Sequence, residues 1–349
     1  MAGGTGGHIY PALACADEIH ARSMAVVWLG SKGGMEERLV ARSHIALHLL
    51  SIKGVRGKGL MGLLAAPFRV VHAIGQALAI LRYERPDVVL GMGGFVAGPG
   101  GVAAKLLGIP LVIHEQNAIA GTTNRLLARV ASLQLQAFDK ALPSGITLGN
   151  PVRQAIFDTP KRLSAMDAAR PLRLLVVGGS LGAQAINEVI PEVLAHWAGA
   201  SRLDVWHQTG SKHVEVVQAR YAALAVEGKV EAYIEHMEQA YYWADIVICR
   251  SGAMTVSELA VAGLPSILVP YPHAIDDHQT HNALSLERSS AAILLPQSQL
   301  TKHTLIDILS ELAVNRERLI SMGNNARNMS LPQATQDVVQ YCLGQIKHD

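Results

Sequence analysis

Along the chain one unit recurs: a short run of apolar, β-prone residues, a glycine or polar turn, and a helix-length stretch whose apolar positions return every three or four residues. In the first half the runs are AVVWLG (25–30), DVVLGMGG (87–94), IPLVIHE (109–115) and SLQLQAF (132–138). In the second half they are LRLLVVGGS (172–180), LDVWHQTG (203–210), KVEAYI (229–234), DIVICRSG (245–252) and PSILVP (265–270). Strands that alternate with helices are expected to form parallel sheets covered on both faces. The stretch 149–171 interrupts the pattern with prolines, charges and no strand-like run, so the linker is placed there. The pattern predicts an α/β protein of two doubly wound domains, residues 1–150 and 151–349, facing each other across a cleft. Sheets of this kind bind ligands at the carboxyl ends of their strands.

Composition is consistent with this picture. The chain has 349 residues, half of them hydrophobic, and single cores stop growing at roughly 250–300 residues, so two cores are expected. Three cysteines, Cys15, Cys249 and Cys342, lack metal-ligand spacing and read as reduced thiols. No apolar run reaches the ~18 residues of a spanning helix and no charged-then-apolar leader is visible, so the expectation is a protein neither secreted nor integral to a membrane. Nothing points to a nucleic-acid partner.

The net charge of +2 conceals one asymmetry. From Arg38 to Tyr83 there is no Asp or Glu, while Arg38, Arg42, Lys53, Arg56, Lys58, Arg69 and Arg82 fall there. Within that span the basic residues alternate with Leu60, Met61, Leu63, Leu64 and Phe68. Such a mixture suits an anionic membrane surface, which attracts the charge and buries the apolar side chains. A solvated basic loop followed by an ordinary core helix is the other reading.

Three glycine loops, GGTGGH (3–8), GMGGF (91–95) and GGSLGA (178–183), precede helical stretches. Bare backbone there lets N–H groups approach an anion at a helix N-terminus. Pro11 is expected in the opening turn of the first helix. None of the loops is a Walker loop, and none completes a dinucleotide fingerprint. The longer run CRSGAMTVSELAVAGLPSILVPYPHAIDDHQTHNA (249–283) offers another helix N-terminus beginning near Ala253, with Glu258 expected to project from its first turn. Glu258 is suited to holding two ribose hydroxyls; alternatively Thr255 and Glu258 form a capping box. His273, Asp276, Asp277, His278 and His281 lack recognised metal spacing, whereas Gln279 and Asn282 have the chemistry of sugar-hydroxyl partners. No Asp-x-Asp occurs in the chain, so neither a metal nor any other cofactor is expected. His8, at the end of the first glycine loop, is a candidate general base, or else a structural histidine bonded to a backbone carbonyl.

GGTGGH, GMGGFVAGPG, HEQNAIAG, GNPVR, VVGGSLGAQAIN and the 249–283 run together resemble, in order and spacing over nearly the whole chain, the MurG family of bacterial cell-wall N-acetylglucosaminyltransferases. The resemblance implies the GT-B fold: an N-terminal acceptor and membrane-side domain, and a C-terminal nucleotide-sugar domain whose last helix packs back on the first. It implies inverting transfer of N-acetylglucosamine from UDP-N-acetylglucosamine to the C4 hydroxyl of undecaprenyl-pyrophosphoryl-N-acetylmuramyl-pentapeptide, at the cytoplasmic face of the cell membrane. Donor contacts carry over to Thr5, Gly6, Gly7, Asn117, Arg153, Ser180, Ile234, Ala253, Met254, Thr255, Val256, Ser257, Glu258 and Gln279, and the base to His8. In that pattern the Ile234 main chain reads uracil, Glu258 holds the ribose and Gln279 reaches the sugar. Leu181 departs from it, standing where the family carries a glutamine. A diacylglycerol glycosyltransferase of the same fold, and a non-catalytic subunit that presents nucleotide sugar, are the rival readings.

The family places a short apolar strand ahead of the first glycine loop, but Met1 stands only one residue before Gly3. An upstream start, or a deletion that leaves the loop poorly supported, is therefore expected.

Overall fold

The computed structural model describes residues 1–41, 43–52, 66–158, 170–179, 182–199 and 202–346. They divide into two compact units, Met1–Arg153 with Leu331–Asp349, and Gln154–Ser330. The chain thus returns to its first unit at Leu331, and the division between units falls at 153/154.

In the first unit, helix α1 (Gly6–Ala21) is followed by β1 (Val27–Ser31), α2 (Met35–Val40), β2 (Ala46–Leu50), α3 (Ala66–Glu84), β3 (Val89–Gly91), α4 (Ala97–Leu106), β4 (Leu111–Glu115), α5 (Thr122–Leu127), β5 (Leu133–Gln136) and β6 (Ile146–Thr147). All pairings are parallel, in a two-stranded sheet β1-β2 and a four-stranded sheet β3-β4-β5-β6. Ahead of the first glycine loop, Met1 and Ala2 take the place where a strand was expected. The Met1 ammonium donates to the Leu90 carbonyl at 2.8 Å, and Met92 N–H donates to the Met1 carbonyl at 2.9 Å. Trp28 Nε1 on β1 donates to the Ala2 carbonyl at 3.0 Å.

The long helix α3 shows why its sequence is helical. Ala73, Ala77 and Leu81 recur every four residues and are buried, while Phe68, Arg69, Val71 and Tyr83 face outward. The last helix of the chain, Ala334–Leu343, packs on α1, where Val338, Val339 and Cys342 meet Ile9, Ala12 and Cys15.

In the second unit, six strands run parallel in the order β12-β11-β10-β7-β8-β9, where β7 is Leu172–Val177, β8 Leu203–Gln208, β9 Lys229–Glu231, β10 Ile246–Cys249, β11 Ser266–Leu268 and β12 Ala292–Leu294. The strand order reverses direction between the adjacent strands β7 and β10. Loops at the carboxyl ends of these two neighbours of the switch point are where open sheets place ligands. Leu172, Leu174 and Val176 of β7 are fully buried under Ile186 and Ile190 of the following helix (Gln184–Ala195), the near-continuous apolar pattern of a central parallel strand.

Two buried histidines make the fold acid-sensitive. His207 on β8 bonds Asn187 Oδ1 and Tyr221 Oη, each at 3.1 Å, and burial lowers its pKa to about 3. Burial likewise lowers His114, on β4, to about 4. A folded-state pKa below the unfolded 6.5 means the unfolded chain binds more protons, so stability is complete above about pH 6.5 and falls as pH drops toward the folded values. Each histidine contributes a slope of about 1.4 kcal/mol per pH unit. Thermal unfolding followed from pH 7.5 to 4.5 should show a falling midpoint, less steep in His207→Gln; a midpoint independent of pH contradicts this.

Candidate active site

Helix α1 begins within the first glycine stretch, at Gly6, with Thr5 as the extended residue before it and His8 as its third residue. The amides of Gly6 and Gly7 lie in the first turn, where no intrahelical carbonyl faces them. Pro11 stands in the second turn rather than the opening one, and the bond its N–H would have given to the Gly7 carbonyl is missing. Glu36, fully buried in α2, holds the loop: its carboxylate accepts from Ser31 N–H at 2.7 Å, Ser31 Oγ at 2.6 Å and Gly4 N–H at 3.2 Å. The second glycine loop closes over the first. Gly94 sits at φ +81° with its Cα against the Gly3 carbonyl, and Gly93 at φ +93° with the His8 ring where a side chain would stand. Neither position has room for a Cβ.

His8 Nδ1 lies 2.8 Å from Oε1 of Gln116, so its partner is a side-chain amide and not a backbone carbonyl. Among the described residues no hydrogen bond engages its Nε2. Gln116 and Asn117 follow directly on β4. Buried Glu115 organises this turn by accepting from the Asn117 amide at 3.0 Å, Asn117 Nδ2 at 3.1 Å, Gly121 N–H at 3.1 Å and Asn124 Nδ2 at 2.9 Å. Arg153, at the end of the GNPVR stretch, places its guanidinium 5.1 Å from the Tyr10 ring centroid on α1, a cation–π distance.

In the second unit the GGS loop follows β7. Its Gly179 is held by the Gln208 side chain, which accepts from Gly179 N–H at 2.9 Å and donates to the Gly179 and Ala232 carbonyls at 3.1 and 2.8 Å. Ser180 and Leu181 lie outside the described residues. Ile234 is buried in the loop after β9.

After β10, the helix Ala253–Ala262 starts behind the extended Gly252 with no side-chain cap. Val256 N–H closes its first ladder bond to Gly252 at 3.0 Å, which leaves the amides of Ala253, Met254 and Thr255 in the unfilled first turn. The capping-box alternative is therefore not realised: Thr255 is the third helical residue, and Glu258 lies in the second turn instead of the first. The Glu258 carboxylate is nearly buried and accepts from Tyr241 Oη at 2.9 Å. Gln279 is half-buried, its Oε1 accepting from Tyr271 N–H at 2.9 Å. Asn282 differs from the sugar-hydroxyl expectation, because it is fully buried and its Nδ2 donates to the Ser251 carbonyl at 3.2 Å, bracing the turn into the helix. Among the described residues no group of three or more His, Cys, Asp or Glu is placed to hold a metal ion.

The structure also supplies supports that the sequence did not reveal: Glu36, Gln208, Tyr241 and the pair His114 and Gln116. Glu36, Gln208, Tyr241 and Gln116 each bond a residue far away along the chain, and of these only Gln116 belongs to a recognisable pattern, HEQNAIAG, which also holds His114.

Two parallel-stranded α/β units with glycine loops leading into helix N-termini are the architecture of GT-B glycosyltransferases, and that class is the one defined here. Residues 1–134 match the glycosyltransferase family 28 N-terminal domain, and residues 173–338 match the family 28 C-terminal domain. The chain is 51% identical over 98% of its length to a UDP-N-acetylglucosamine–N-acetylmuramyl-(pentapeptide) pyrophosphoryl-undecaprenol N-acetylglucosamine transferase of Marinobacter nauticus, of which it covers 96%. To the transferase of the same name from Pseudomonas fluorescens it is 52% identical, with 98% and 97% covered. A crystal structure of Acinetobacter baumannii MurG is similar at a TM-score of 0.82 and 40% identity, over 99% of this chain and 98% of that one. The chain belongs to glycosyltransferase family 28, and within it to the MurG family.

Proposed function

We propose that the protein transfers N-acetylglucosamine from UDP-N-acetylglucosamine to the C4 hydroxyl of undecaprenyl-pyrophosphoryl-N-acetylmuramyl-pentapeptide, with inversion, making a lipid-linked disaccharide for peptidoglycan. The observation that carries this reading is half-identity, over nearly the full length of both chains, to transferases named for that donor and acceptor. His8 is the general base. Its Nε2 takes the proton of the C4 hydroxyl as that oxygen bonds to the sugar C1, while the bond from C1 to the diphosphate oxygen breaks and UDP departs. Charge gathering on the diphosphate is met by Arg153 and by helix N-terminal amides, those of Gly6 and Gly7 with Thr5, and those of Ala253, Met254 and Thr255, while Val256 and Ser257 complete the donor-contact run. Glu258 holds the ribose hydroxyls, the Ile234 main chain reads uracil, and Asn117, Ser180 and Gln279 complete the donor contacts. Incubation with labelled donor and the lipid-linked muramyl-pentapeptide tests this chemistry, with a labelled disaccharide and free UDP as the expected products.

The same reading places the protein peripherally on the anionic cytoplasmic face of the cell membrane. Among the described residues no helix is long and apolar enough to cross a bilayer. Support comes from α3, whose outward face carries Phe68 at 80%, Val71 at 68% and Tyr83 at 81% exposed, beside Arg69. Arg42 and residues 53–65, which hold Lys53, Arg56 and Lys58, lie outside the described residues. Replacing Phe68 by Ser together with Arg69 by Gln should weaken binding to anionic vesicles roughly thirtyfold, since one basic side chain contributes about 1 kcal/mol and a partly inserted ring a similar amount. Donor affinity should not change. Co-sedimentation that ignores both the double change and added salt removes α3 from the membrane contact.

A further inference from the structure

The His8 ring is tied into a chain of side chains that ends on main-chain carbonyls. His8 Nδ1 is 2.8 Å from Gln116 Oε1. Gln116 Nε2 is 3.0 Å from both His114 Nδ1 and the His114 carbonyl oxygen. His114 Nε2 is 2.9 Å from the Gly149 carbonyl oxygen. Both His114 and Gln116 are buried, so their polar atoms depend on partners within the protein. Asn150 Nδ2 donates to the Gln116 carbonyl at 3.1 Å and ties the GNPVR stretch to the same residue.

The direction of this chain is decided at its carbonyl end. A carbonyl only accepts, so His114 carries its proton on Nε2 and presents a lone pair at Nδ1. The Gln116 amide meets that lone pair with its NH2 group, which also donates to the His114 carbonyl. Turning the amide over would set its oxygen against the carbonyl oxygen and the imidazole lone pair at once. Oε1 therefore faces His8 and accepts, which puts the His8 proton on Nδ1 and a lone pair on Nε2. Burial keeps His114 neutral, outweighing the Gly149 bond and the nearby Glu115 charge, so no second proton arrives to reverse the chain.

We propose that Gln116 and His114 are positioning residues that lock His8 in the Nδ1–H tautomer, leaving Nε2 as the basic atom presented to the acceptor hydroxyl. The inference rests on the reading of His8 as the general base. An unconstrained histidine side chain favours the Nε2–H tautomer, which would offer the incoming hydroxyl a proton instead of a lone pair.

Two-bond proton–nitrogen spectra of histidine-labelled protein, with His8 assigned by its loss in His8→Gln, read the tautomer directly. Wild type is expected to show Nδ1–H, and Gln116→Ala to shift the ring toward Nε2–H. In the same variant kcat should fall about fivefold, in step with the lost tautomer population, while donor affinity by calorimetry stays unchanged. Nε2–H in wild type overturns the proposal, as does an Nδ1–H signal undiminished in Gln116→Ala. Should that variant not fold, the wild-type spectrum alone decides. Full activity in His8→Ala would remove the base assignment and leave the tautomer lock standing, so the two readings fail separately.

Discussion

His8→Ala is expected to lower kcat by about 10²- to 10⁴-fold, the usual contribution of a positioned general base, while donor affinity stays within about twofold. The reason is that a base acts only as the proton moves, so its loss raises the barrier without touching the ground-state complex. The loop itself should persist, because Glu36 holds Gly4 and Ser31 independently of the His8 ring. Single-turnover rates and calorimetry with UDP-N-acetylglucosamine measure the two effects separately. A loss of donor affinity matching the loss of rate would show that His8 binds the donor and that the base lies elsewhere.

Glu258→Ala is expected to do the opposite, weakening donor binding by roughly 10²-fold. Hydrogen bonds to a charged group contribute about 1.5–3 kcal/mol each, and a carboxylate on two ribose hydroxyls makes two of them. Truncation also strips Tyr241 Oη, on a buried ring, of its acceptor. Glu258→Gln keeps an oxygen for one of these partners and should lose only about tenfold. Calorimetry with UDP and with the full donor reads both changes; wild-type affinity in Glu258→Ala would take this carboxylate out of the ribose contact.

The strands that were legible in the sequence are those with long apolar runs. LRLLVV became β7 and IVIC became β10, because central parallel strands are apolar on both faces. Three strands were not legible. In β2, Ala46–Leu50, His48 interrupts a half-buried run; β6 has two residues, too few to show a period; the third is β12, Ala292–Leu294. At the site, glycine loops were visible because a left-handed backbone or a close approach, as at Gly93 and Gly94, admits only glycine and so marks the sequence. Their supports were not. Glu36 reaches Gly4 across 32 residues and Gln208 reaches Gly179 across 29, and a lone acid or amide at such a distance has no local signature. Glu258 was noticed for its chemistry but misplaced by one helical turn, since a Thr-x-x-Glu spacing says nothing about where the helix begins. The real start was set by Gly252, which lies extended.

The most direct measurement offers labelled UDP-N-acetylglucosamine and two acceptors, undecaprenyl-pyrophosphoryl-N-acetylmuramyl-pentapeptide and diacylglycerol, in vesicles of one composition. The account predicts one labelled product, the disaccharide on the lipid pyrophosphate, formed with an equal amount of UDP and lost in His8→Ala. Label transferred to diacylglycerol, or UDP-sugar bound with no transfer to either lipid, would contradict it.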